Sequence, residues 1–159
     1  IEEKLDGPAI CERISTPWWT RRSMAEPEAT RGLLDTSVVV DHDVIDPALL
    51  PDESAIAAVT LAELAAGPHA TSDDAERARR QDRLQWAAAT WDALPFDVHA
   101  ARAYGRIFAA ARAEGRSSRA RLADLLIAAT AAANGLPLYT KNARDFAGLE
   151  HILKIVEIR

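Results

Sequence analysis

A single cysteine, Cys11, stands in the 159 residues, so no disulfide can form within the chain and folding in a reducing cytoplasm is open to it. His42, His69, His99 and His151 show no paired spacing such as H-x-x-x-H, and with one cysteine no zinc site can be drawn. The glycines never fall into G-x-G-x-x-G or G-x-x-x-x-G-K, which removes the nucleotide-loop readings. Ser37 lacks a G-x-S-x-G context, which argues against a serine hydrolase. No uninterrupted apolar run approaches the roughly 18 residues of a membrane span, and the N-terminal stretch has no apolar h-region of a secretory signal. Neither sign of charge dominates: 19 Lys and Arg stand against 24 Asp and Glu, a net of -5, which does not advertise nonspecific affinity for nucleic acid. What is present, 48% hydrophobic residues in a length typical of one domain, fits a soluble globular unit.

The chain divides into two unequal parts. Residues 1–23 hold Pro8, Pro17, the pair Trp18-Trp19 and the pair Arg21-Arg22 without a sustained period, and read as an extended arm. Met24, the only methionine, reads as the start of the globular unit over 24–159, with a native but irregular N-terminus as the alternative. From Gly32 onward strand-like and helix-like segments alternate. Leu33-Leu34, Ile56–Val59, Pro137–Thr140 and Ile152–Ile158 read as strands, with Leu94-Pro95-Phe96 a weak further candidate. Helices are expected over 73–90, 98–114 and 123–134. In the second of these Val98, Ala101, Tyr104, Phe108 and Ala111 form one apolar stripe, and Ala100, Ala103, Ile107 and Ala110 another. The third is apolar nearly all round, as a central helix would be, and Asn134-Gly135 before Pro137 is a stop signal. Such alternation argues for an α/β layer fold with a mostly parallel sheet.

Acidic residues recur where these elements meet. Asp35 follows the first strand, at the edge where open α/β sheets place ligands, although capping the next short helix would also account for it. Glu63 in Thr60-Leu61-Ala62-Glu63 has the spacing of a capping box. Asp124 opens the most apolar helix, where the partial positive charge of the N-terminus favours a carboxylate. Asn142-Ala143-Arg144-Asp145 again resembles a cap followed by an acid. Each has a structural explanation, but four at successive sheet-edge positions point to one shared site, and clustered carboxylates suit a hard divalent cation. The arginines are also uneven. Arg77, Arg79, Arg80 and Arg83 crowd one segment and Arg102 to Arg121 another, which reads either as a solvated helix face or as contacts for a phosphate-bearing ligand.

Leu33-Leu34-Asp35-Thr36-Ser37-Val38, Thr60-Leu61-Ala62-Glu63-Leu64, Asp124-Leu125-Leu126-Ile127-Ala128-Ala129 and Thr140-Lys141-Asn142-Ala143-Arg144-Asp145-Phe146, in this order, resemble the motifs of the PIN-domain ribonucleases, above all the VapC-type toxins of bacterial toxin-antitoxin pairs. The resemblance runs from about Gly32 to the last residue. It implies a three-layer α/β/α sandwich with a mostly parallel sheet, a homodimer, and hydrolysis of RNA, transfer RNA among the candidates, by water activated with Mg2+ or Mn2+. Carried over by position, Asp35, Asp124 and Glu63 would hold the metal, and Asn142 or Asp145 would complete the catalytic acids. Thr36 or Ser37 would orient a water or a neighbouring carboxylate, while Arg119 and Arg121 would guide the RNA backbone. The resemblance also implies an antitoxin partner, and residues 1–23, with Trp18, Trp19, Arg21 and Arg22, look like an antitoxin tail joined ahead of Met24. A PIN-like module that binds RNA or protein without cutting is the alternative.

Overall fold

The computed structural model of the chain describes residues 30–115 and 121–159. The expected arm over 1–23 and Arg119 lie outside the described residues. Four strands, β1 (Arg31–Leu34), β2 (Glu53–Ile56), β3 (Leu138–Thr140) and β4 (Ile155–Glu157), form one sheet in the order β2-β1-β3-β4, every neighbouring pair parallel. An isolated parallel bridge from Ala57 to Leu94 continues the β2 edge at the weak strand candidate. Among the described residues five α-helices accompany the sheet: α1 (Thr36–Val40), α2 (Ala58–Ala66), α3 (Asp74–Thr90), α4 (Val98–Ala113) and α5 (Leu122–Ala133).

Successive strand residues point to opposite faces, and both faces are buried. Leu33, Ala55 and Leu138 pack on one side against Ala103 and Ile107 of α4 and against Leu125, Ile127 and Ala128 of α5. Leu34 and Ile56 pack on the other against Val38 and Val39 of α1, Leu64 of α2, Ala87 of α3 and Trp91. Two cores on two sheet faces are the three-layer α/β/α sandwich expected from the sequence. Full burial of a leucine or isoleucine is worth roughly 1.5–3 kcal/mol, so the run from Leu33 to Val39, almost wholly inaccessible apart from the Thr36-Ser37 pair, anchors β1 and α1 firmly on either side of Asp35.

The helix ends follow from local chemistry. Asp73 caps α3 by accepting from the Glu76 amide at 2.7 Å, and Asp97 caps α4 by accepting from the His99 and Ala100 amides, both at 2.9 Å. α5 closes as the Asn134-Gly135 signal predicts. Gly135 takes a left-handed φ of 64°, its amide donates to Ala132 O, and the Leu136 amide donates to Ala131 O. The chain then turns directly into β3.

Three expectations need correction. The second strand is Glu53–Ile56, not Ile56–Val59, because the apolar run continues straight into α2 and hydrophobicity alone does not separate a buried strand from a buried helix start. The fourth strand is confined to Ile155–Glu157. In α4 the inward face is Ala100, Ala103, Ile107 and Ala111, whereas Val98 of the other stripe is 59% exposed and Tyr104 and Phe108 are only half-buried. Small residues face inward because α4 packs closely against the alanine-rich α5.

Candidate active site

From β1 the chain crosses to β2 on one side, and only later supplies β3 on the other. The carboxyl end of β1 is therefore the topological switch point, where connections leave in opposite directions and open a crevice. Asp35 stands there. Its amide donates to Tyr139 O of β3 at 2.9 Å, and its carbonyl accepts from the Val38 and Val39 amides at the start of α1. The backbone of Asp35 thus caps α1, but its carboxylate does not. That group is freed to turn into the crevice, where it is almost completely buried.

Hydroxyls hold it. Ser37 Oγ donates to Asp35 Oδ2 at 2.6 Å, and Thr140 Oγ1 donates to the same oxygen at 2.8 Å. Ser37 Oγ in turn accepts from the Lys141 amide at 3.1 Å, and Thr140 Oγ1 from the Asn142 amide at 3.0 Å. Thr36 serves a different acid, donating to Glu63 Oε2 at 2.5 Å. Thr36 and Ser37 therefore orient carboxylates, one each. Thr140 was not singled out as a site residue in the sequence. Its signal lay in the register, because pairing of Leu34 with Tyr139 sets Thr140 opposite Asp35, and that is visible only once β1 and β3 are known to be neighbours.

Glu63 lies inside α2, whose cap is Ala57, so Thr60 and Glu63 are not a capping box. Thr60 is a fully buried residue of the helix, and the glutamate points to Thr36. Asp124 occupies the first turn of α5, as expected, and its carboxyl is raised from 3.8 to about 6. Burial is the largest cause, followed by the negative charges of Asp35, Asp145 and Glu63, with Arg121 partly offsetting them. That coupling places the four acids in one electrostatic neighbourhood. No three acids, histidines or cysteines among the described residues are drawn together tightly enough to enclose an ion by themselves, an arrangement in keeping with the mutual repulsion of like charges.

The fourth corner divides into two roles. Asn142 is exposed, and its side chain makes no cap bond to the short 3-10 turn Ala143–Phe146 that follows it. Asp145 is paired with Arg121, through Oδ1 at 3.3 Å to Nη2 and through its carbonyl, which accepts from Nη1 at 3.3 Å. This clamp ties the turn to the start of α5. Lys141 is committed to Asp41.

The outer side of Glu63 and Thr36 borders a cavity of about 400 Å³ reaching Glu76, Arg79, Arg80 and Arg83 of α3. Glu76 accepts from Arg79 Nε at 3.0 Å and from Arg80 Nε at 2.7 Å. Its carboxyl is held below the usual range by the Arg80 and then the Arg79 hydrogen bond. Arg83 donates to Val40 O. Trp91 is buried in the core, but Trp86 beside it is 40% exposed, and both rings pack against His42.

Comparison with known proteins places this geometry. Residues 32–151 match the PIN domain model. Ribonuclease VapC5 of Mycobacterium tuberculosis (strain ATCC 25618 / H37Rv) is 40% identical over 131 residues, which are 80% of this chain and 94% of the relative. Ribonuclease VapC8 of the same species is 38% identical over 112 residues, 68% of this chain and 96% of the relative. Among solved structures, VapBC-5, a member of the VapBC family of toxin-antitoxin systems from Mycobacterium tuberculosis, superposes with a TM-score of 0.70 at 39% identity, covering 82% of this chain and 98% of that one. The matched span contains the switch-point crevice and every acid placed in it, and the chain belongs to the PIN-domain family, among its VapC-type members.

Proposed function

We propose that this protein is a metal-dependent endoribonuclease, the toxin of a toxin-antitoxin pair. The observation that carries the reading is the convergence of Asp35, Glu63 and Asp124 on the switch-point crevice, where burial first and then the neighbouring acids raise the Asp124 carboxyl to about 6, in a chain 40% identical to a protein named a ribonuclease. The donors are carboxylate oxygens without a thiolate or imidazole among them, which suits Mg2+ or Mn2+. Asp35, Asp124 and Glu63 would hold the ion. When bound, it supplies activation of a water and neutralisation of charge on a phosphodiester.

The chain's own groups do the rest. Ser37 and Thr140 fix the Asp35 carboxylate, and Thr36 fixes Glu63, so the ligands are oriented before any ion arrives. Asp124 holds a proton more readily than an ordinary aspartate, and a cation held by these acids would favour its ionised form. Asp145 acts through Arg121, holding the guanidinium within electrostatic reach of Asp124, where it would meet an RNA phosphate. Asn142 leaves that role to them. An antitoxin partner follows from the similarity to VapBC-5, a toxin-antitoxin system. Pairing of two copies, a structured RNA such as transfer RNA as target, and an antitoxin-like role for residues 1–23 belong to the same reading.

The test is incubation of the full chain with total cellular RNA and Mg2+ or Mn2+, beside EDTA and Asp124→Asn controls. Cleavage that needs the ion and Asp124 is expected. Cleavage insensitive to EDTA or to Asp124→Asn overturns the mechanism, and no cleavage of any RNA favours a binding module.

A further inference from the structure

Of the fully buried threonines among the described residues, Thr130 and Thr140 satisfy their hydroxyls in opposite ways. Thr130, in α5, donates to Leu126 O one turn back at 2.9 Å, the local solution open to any helical threonine. Thr140 ends a strand and reaches across to β1, donating to a carboxylate 105 positions away in the chain. The same oxygen of Asp35 also takes the Ser37 hydroxyl. A carboxylate oxygen offers about two lone-pair sites, so Oδ2 is fully engaged. No described residue donates to Oδ1, and no buried side-chain oxygen among the described residues lacks a partner, so Oδ1 keeps its access to the crevice.

We propose that Thr140 is a positioning residue that locks the Asp35 carboxylate in one rotation, so that Oδ1 alone is presented to the crevice as a cation ligand. The proposal rests on the metal-dependent reading above and deepens it. Ser37 lies two residues from Asp35 in the first turn of α1, and its hydroxyl also accepts from the Lys141 amide, whereas Thr140 itself belongs to a different strand and ties the carboxylate directly to the sheet. Thr140 also accepts from the Asn142 amide at 3.0 Å, so one hydroxyl sets both Asp35 and the path of the chain toward Asp145. Valine has nearly the same shape but neither donates nor accepts. With it the carboxylate would keep one donor of two and regain its freedom to turn.

The decisive comparison is among wild type, Thr140→Val, Thr140→Ser and Thr140→Ala as full-length chains. Mn2+ binding is measured by calorimetry well below each melting temperature, alongside kcat and KM on RNA. Thr140→Val and Thr140→Ala are expected to weaken Mn2+ binding and lower kcat by about 10- to 100-fold, the range seen when a residue orienting a metal ligand is removed. KM for RNA stays within about twofold of wild type, since Thr140 is buried beneath the site, and Thr140→Ser restores most of the Mn2+ affinity. A purely structural threonine would lower the melting temperature and leave Mn2+ affinity unchanged. Wild-type Mn2+ affinity in either non-hydroxyl variant overturns the proposal, as does a folded Thr140→Ser that binds as weakly as Thr140→Val. A wild type that binds Mn2+ but cuts no RNA fails the nuclease reading alone, and the Mn2+ series still decides on Thr140. A wild type that takes up no Mn2+ overturns both.

Discussion

Two regions bordering the same cavity concentrate charge, the switch-point crevice and the arginine-rich flank of α3, and they treat that charge differently. On α3, Glu76 sits between Arg79 and Arg80 and ion-pairs with both, so the region largely satisfies itself. In the crevice Asp35 and Glu63 receive hydroxyls rather than cations, and Asp124 feels three other negative charges that Arg121 only partly offsets. Hydroxyls orient a carboxylate without cancelling its charge. The crevice therefore keeps negative charge that its neighbours do not cancel, whereas the helix pairs its own.

The two regions should respond unequally to substitution, most of all in activity. Asp124→Asn is expected to reduce metal-dependent RNA cleavage by more than about 100-fold, while Glu76→Gln leaves it within about twofold in the same assay. A comparable loss from Glu76→Gln would break the contrast and draw α3 into the site. Mn2+ sharpens the comparison next. It should raise the melting temperature of the wild type but not of Asp124→Asn, and EDTA should reverse the rise, because only binding to the folded state stabilises it.

In the metal-free chain the pH dependence takes opposite signs in the two regions. Asp124 is raised from 3.8 to about 6, so folding favours its protonated form. The stability associated with that proton is full below 3.8, is lost as pH rises toward about 6, and is absent above. Discounted for the solvent reaching this half-buried group, the loss is about 1 kcal/mol. Asp124→Asn should thus melt about 2–4 °C higher than wild type near neutral pH without metal, and the gap should close near pH 4. Glu76 is lowered from 4.5, so its contribution is present above that value and lost on acidification. The smallest effect belongs here: Glu76→Gln should lower the melting temperature slightly near neutral pH, an effect that added salt erases, since the pairs it removes are exposed. Equal pH slopes in the two variants would refute the assignment.

Much of the crevice was legible because its residues sit at positions with a local signature. Asp35 ends an apolar pair and Asp124 opens an apolar helix, and both lie where those patterns placed them. Glu63 was harder to read, since the Thr60 to Glu63 spacing imitates a capping box. The true helix start at Ala58 was hidden by an apolar run that spans the end of β2 and the beginning of α2. At Asn142 to Asp145 the same imitation occurs, yet Asn142 caps nothing with its side chain and Asp145 is claimed by Arg121. Local spacing records what a side chain could do for its own helix. It carries no information on a partner a hundred residues away.

The sequence by itself determined the elements and their polarity: apolar runs ending in acids, an all-apolar central helix, a glycine stop, and motifs specific enough to indicate the family. These depend on neighbours within a few residues, where period, capping and φ preference act. Only the tertiary structure decided which strands touch, and so which acid each hydroxyl serves. The order β2-β1-β3-β4 brings Thr140 to Asp35, and the docking of α2 beside α1 brings Glu63 to Thr36. Burial and summed charge arise from that assembly as well, and they are what lift Asp124 away from an ordinary aspartate.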